Sequence, residues 1–180
     1  LKAVFTPLTG GTPITSADIV TANGKEWAQP DLFTNLSWDQ INAVCPGGPC
    51  ANGGVLNGHD MSGWNWAPIL DVAAFFNSYG VNPPLSLSGP SQTTGNDTIW
   101  AQAAFLSLRP TYANASIESR YAMGVCLESV VISGTRVALR ASIAENASWA
   151  SGLDIAQTNE GVTSNLPAPN WGAWFFKISP

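Results

Sequence analysis

The sequence predicts an α+β fold: a single domain, mainly antiparallel β-sheet, with two or three short helices in the first half. Three observations carry that prediction. The second half holds long strand-like runs, SRYAMGVCLESVVIS, TRVALRASIA and GAWFFKIS, separated by Gly-rich or Pro-rich turns. The first half instead holds short stretches that open on helix-start signals. The chain is 180 residues long, enough for one domain around one core, and no internal repeat or low-complexity linker divides it.

The N-terminal LKAVFTPL is strand-like, but Pro7 confines it to a sheet edge or to a segment that leaves the body. Thr9-Gly10-Gly11-Thr12-Pro13 follows, so residues 1–12 are read as an arm with a Gly-rich hinge and residues 13–180 as the globular domain. On an extended arm Leu1, Ala3 and Phe5 share one face, and Val4 and Leu8 share the other. ADIVTANGKEWAQ reads as a hairpin, because Asn23-Gly24 is the pair a type I′ turn demands and Ile19, Val20 and Trp27 flank it.

Ser37-Trp38-Asp39-Gln40 is a capping box, so a short helix should follow through Ile41 and Val44, with Asp39 favourably placed in its first turn. A long Gly/Asn loop is expected from Cys45 to about Gly63. Pro68 suits the first position of a second helix, along which Ile69, Val72, Phe75, Phe76 and Tyr79 recur at helical spacing until Gly80. Residues 82–97 are a loop by composition, and Asp97 is placed to cap a third helix running to Phe105. Gly134-Thr135 marks a hairpin between the first two long strands.

Charged residues make up only 11% of the chain, against about 25% in an ordinary soluble domain, and the net charge is −5. Ser, Thr, Asn, Gln and Gly must therefore cover the surface, which leaves little repulsion between copies. The four arginines form no run, and nothing resembles the basic patch that nucleic acid needs. No apolar run approaches the roughly 20 residues of a membrane span. The opening without Met reads as a mature chain whose leader has been removed.

Cys45 and Cys50 bracket Pro46-Gly47-Gly48-Pro49, a segment that must turn, so their sulfurs can meet. A disulfide is favoured over a metal half-site, because only Cys126 and His59 could complete the ligand set. That pairing implies an oxidising compartment. Cys126, inside an apolar strand pattern, reads as a buried small hydrophobe.

Catalytic chemistry finds few candidates. His59 is the only histidine and sits in a turn-like NGHDMSG segment. Nucleophile elbows, phosphate loops and metal-ligand clusters are missing, and no pair of carboxylates is signalled. The expectation is a protein that is not an enzyme, with no cofactor and no metal site. Trp27 and Trp38 flank predicted elements and are assigned to the core. Trp64 and Trp66 stand two apart, so an extended backbone would aim both indoles one way and offer sugar rings a stacking face, with Asp60 and Asn65 as hydrogen-bonding neighbours. For these two, and for Trp171 and Trp174, burial is the competing and favoured reading. Sequons at Asn35, Asn96, Asn114 and Asn146 are accounted for by the abundance of Asn, Ser and Thr.

The order GKEWAQP, LSWDQINAVCPGGPC, LNGHDMSGWNWA, then Asp71-Val72 and Phe76-Asn77-Ser78-Tyr79, resembles a domain of unknown function from secreted bacterial proteins. Many of those proteins carry a C-terminal cell-surface sorting tail. The likeness covers roughly the first half, and GAWFFKIS is similar to that domain's aromatic last strand. This chain ends at Ser179-Pro180 without the tail. The resemblance implies an extracellular, bacterial location and adds no catalytic residue.

Two functions follow as expectations. The first is an extracellular structural subunit whose partner is itself, a head-to-tail homopolymer forming a filament, fimbrium-like fibre or surface layer by exchange of the N-terminal strand. An edge strand within its own domain is the competing reading of residues 1–8. The second is a secreted carbohydrate-binding or adhesion module that takes glycans on Trp64 and Trp66.

Overall fold

In the computed structural model, which describes residues 10–148 and 151–179, the chain forms twelve strands and three α-helices. In chain order they are β1 (Ile19–Ala22), β2 (Lys25–Ala28), α1 (Trp38–Val44), β3 (Val55–Leu56), β4 (His59–Asp60), β5 (Asn65–Trp66), α2 (Ile69–Asn77) and β6 (Gln92–Gly95). There follow α3 (Ile99–Ala104), β7 (Tyr112–Asn114), β8 (Ser119–Ile132), β9 (Thr135–Ala147), β10 (Leu153–Thr163), β11 (Gly172–Ala173) and β12 (Phe175–Ile178). The domain is single and its sheets are mostly antiparallel. The arm residues Leu1, Ala3, Val4, Phe5 and Leu8 lie outside the described residues.

Two-residue turns at positive φ set the hairpins. Asn23 and Gly24 (φ 53° and 68°) join β1 to β2, and Ser133 and Gly134 (φ 50° and 80°) join β8 to β9. The second turn therefore falls one residue before the expected Gly134-Thr135. The large sheet runs β11-β8-β9-β10-β6, with β7 also paired to β8, and only β11 joins in parallel. The small sheet runs β1-β2-β12-β5, so the last strand lies between pieces of the first half.

Each helix begins for a local reason. Ser37 Oγ accepts the Gln40 N–H and Gln40 Oε1 accepts the Ser37 N–H, completing the capping box of α1. Pro68 stands one place earlier than expected, as the N-cap of α2, where it has no side chain to offer. Glu128 Oε2, from β8, accepts the Ile69 N–H in its stead at 2.9 Å. At α3 the cap is Thr98, not Asp97, which sits at φ 45° outside the helix. The Thr98 N–H and hydroxyl both bind the Asp154 carboxylate, at 2.6 and 2.7 Å. This third helix falls past the midpoint of the chain.

The expected loops hold more structure than their composition suggests. Residues 45–63 contain β3 and β4, and residues 82–97 contain β6 against β10. The Gly-rich hinge is partly anchored. Thr12 bridges His59 in parallel, donating to Gly58 O and accepting from Asp60 N–H, so the body already includes Thr12. A Cβ on Gly11 would lie 2.5 Å from the His59 carbonyl carbon, which is why glycine is needed there.

The main core cluster packs α2 and α3 on β8, β9 and β10, and takes in Trp27 and Phe176 from the small sheet. A second cluster surrounds the Cys45–Cys50 disulfide, with Phe33, Ile41, Met61, Trp66 and Phe175.

Candidate functional site

The paired indoles that a sugar-binding face would need on the surface are inside the protein. Trp64 is 5% exposed and Trp66 0%, so they form no platform for a sugar ring. The cause lies in β8. Its register shifts between Val125 and Ser129, which interrupts the ladder to β9. Indole N–H groups bond the carbonyls at this shift: Trp66 Nε1 donates to Val125 O at 3.1 Å, beside the Trp174 backbone N–H at 3.3 Å, and Trp38 Nε1 donates to Leu127 O at 3.0 Å. Trp174 Nε1 likewise donates to Ala141 O at 3.1 Å, its ring lying where a Gly124 side chain would be.

The two proposed hydrogen-bonding neighbours stand in different settings. Asn65 lies in β5 opposite Phe176. Asp60 accepts the Ser62 hydroxyl at 2.6 Å and its N–H at 2.9 Å, and those bonds hold its carboxyl below the usual value. Trp171 is half-buried beneath the Arg140 guanidinium, 3.4 Å from the ring centroid. Trp27 and Trp38 are buried, as the sequence predicts.

Cys45 and Cys50 are bonded, with the sulfurs 2.01 Å apart. Cys126 is buried, and burial pushes its thiol well above the ordinary range, which suppresses the reactive thiolate. His59 packs its ring against the edge of Phe33. Among the described residues no three His, Cys, Asp or Glu side chains converge as a metal site, and no helix is long and apolar enough to cross a membrane.

Two features that the sequence did not single out stand at opposite ends of the large sheet. The first is a cleft of about 670 Å³ where α3, the turn between β7 and β8, and the far end of β9 meet. Arg120 and Glu145 form an ion pair on its wall, and Arg120 covers the Phe105 ring. Asp154 is saturated by Thr98 and by the Asn146 N–H. Asp97 and Glu118 are different: both are exposed, and neither side chain has an ion-pair or hydrogen-bond partner. Two exposed isoleucines lie close in sequence to cleft residues. Ile99, 82% exposed, lies one helical turn before the cleft residue Gln102, and Ile117 immediately precedes Glu118.

The second feature is the free end of the β8–β9 hairpin. Val130, Val131 and Ile132 are 44%, 64% and 57% exposed. Beyond Val125, no described strand pairs with β8 on the side away from β9. Arg136, facing Val131 across the ladder, is bonded to Ser129 Oγ and lies over the Trp38 ring. Among the described residues it is the one Lys or Arg side chain with no carboxylate partner.

Compared with protein-family models, curated proteins and solved structures, the chain finds no match, so its function is argued from its own geometry.

Proposed function

We propose that this protein is a structural subunit, exported by a bacterium, that self-assembles outside the cell into a filament or layer. The observation that carries the reading is the uncovered end of β8. It is a row of β-branched side chains on a sheet edge that no described strand pairs with, without the Lys or Pro that usually guards such an edge. An exposed apolar edge of this kind marks an interaction surface. The sparse charge of the chain supports close approach of copies, and the Cys45–Cys50 disulfide suits an oxidising exterior.

The N-terminal segment supplies a strand to add there. Leu1, Ala3 and Phe5 would lie on one face and pair through their backbone with the β8 edge of the next copy. Such a contact is heterologous and propagates without closing. The alternative, a secreted carbohydrate-binding module, would need a stacking surface other than Trp64 and Trp66.

Light scattering across a concentration series tests the proposal. The full chain should grow in mass with concentration, and deletion of residues 1–8 should leave a folded monomer. A full chain that stays monomeric at high concentration contradicts the reading. Continued assembly after the deletion would reject only the arm as the connecting element.

A further inference from the structure

We infer that the tip of the β8–β9 hairpin of one copy docks into the acidic cleft of the copy whose arm adds to its β8 edge, a second contact at the same head-to-tail junction. The inference rests on the assembling-subunit reading and names the surfaces that meet. Three observations support it.

The first is placement. Glu145, on the cleft wall, and Thr135, at the tip, stand at opposite ends of β9, about 30 Å apart at the ordinary rise of a strand. A surface and its complement at opposite poles of one molecule cannot satisfy each other within that molecule. Between copies they join end to end, in a contact that repeats along the strand direction.

The second is charge. Asp97 and Glu118 are the only carboxylates among the described residues with neither an ion pair nor a hydrogen bond, and both belong to the cleft. Arg136, the one described cation without a carboxylate partner, belongs to the tip. In a chain with so few charges, the unmatched ones among the described residues fall, by sign, at the two ends. Opposed patches of this kind fix the orientation of approach and reject the like-charged pairings of cleft with cleft or tip with tip.

The third is apolar shape. Val131 and Ile132 project from a hairpin that narrows to the two-residue turn at Ser133 and Gly134. Ile99 and Ile117, both exposed, are close in sequence to the cleft residues Gln102 and Glu118, and the cleft's volume of about 670 Å³ accommodates several side chains. Docking would cover the apolar residues of both ends and bring Arg136 among the carboxylates.

The test uses two full-length variants with opposite defects. The tip variant is Arg136→Glu, and the cleft variant combines Asp97→Arg with Glu118→Arg. All three substitutions are at exposed side chains, and tryptophan fluorescence checks that both variants keep the fold. Each variant alone meets like charge at its contact and should need at least about tenfold higher concentration to assemble. Mixed in equal amounts, every junction regains opposite charges, so the mixture should assemble as an alternating copolymer at the concentration of the unaltered chain. A defect of folding would not be cured by mixing. If both variants assemble like the unaltered chain, the contact lies elsewhere and this inference falls while the subunit reading stands. A mixture that stays as defective as its components also overturns the inference. If the unaltered chain itself stays monomeric, both readings fall together.

Discussion

Glu128 sits half-buried on β8, with its Oε2 accepting the Ile69 N–H at the start of α2. Burial pushes its carboxyl above the ordinary value of 4.5, and the nearby Asp71 charge adds to the shift. The folded chain therefore holds this proton more tightly than the unfolded chain. Stability is lost as pH rises from the unfolded value through the folded one, and it is unaffected where both forms are protonated. Glu128→Gln keeps an acceptor for Ile69 and removes the buried charge. Urea midpoints should coincide for the two proteins in acid, and the variant should be the more stable near about pH 7. A variant less stable at neutral pH would show that the carboxylate charge helps α2 more than its burial harms it. Residue by residue, what the sequence disclosed depended on distance along the chain. The Ser37–Gln40 box is visible because both partners fall within one helical turn. The Trp38 N–H and its Leu127 carbonyl acceptor are 89 positions apart, so the reason for burying that indole is not.

α1 is held at both ends by chemistry close in sequence, the capping box at one and Cys45 of the disulfide at the other. Ser37→Ala leaves the Gln40 N–H without its side-chain acceptor and should cost about 1 kcal/mol, read as a shift in the urea midpoint at unchanged slope. No shift would mean that the tertiary packing of Trp38 and Ile41 alone sets the helix start. Among the strands, β8 and β9 were legible from their apolar runs, whereas β10 was not. Its centre reads Gln157-Thr158-Asn159-Glu160, and a register shift between Gln157 and Glu160 disturbs the period of two. Those polar groups are tolerated because they find partners: Gln157 Nε2 donates to Ser142 Oγ, and Thr158 bonds Ser91. β3, β4 and β5 are two residues each, too short to leave any periodic trace among glycines and asparagines.

At the scale of the molecule, five of the six described cations are matched by carboxylates, so the unpaired charges stand at the ends of the large sheet. An end-to-end contact of that kind is sensitive to salt. Screening length falls from about 10 Å at 0.1 M to about 3 Å at 1 M, so the concentration needed for assembly should rise across that range. Assembly strengthened by salt would mean that the apolar arm contact, and not the charged ends, governs the junction. Neither end was legible beforehand, because Asp97 and Glu118 meet at one cleft, and Arg136 reaches the other pole, only through the pairing of β8, β9 and β10. The place of β12 has a further consequence, for the order in which the chain can fold. This strand is inserted between β2 and β5, and Trp174, Phe175 and Phe176 just before and within it enter both large cores. The first half therefore cannot close its sheet until residues near 175 are available to it. Such long-range closure is slow, and synthesis from the N-terminus cannot hasten it. A chain whose sheet stays open until this strand arrives remains a thread, not a finished body, for most of its synthesis.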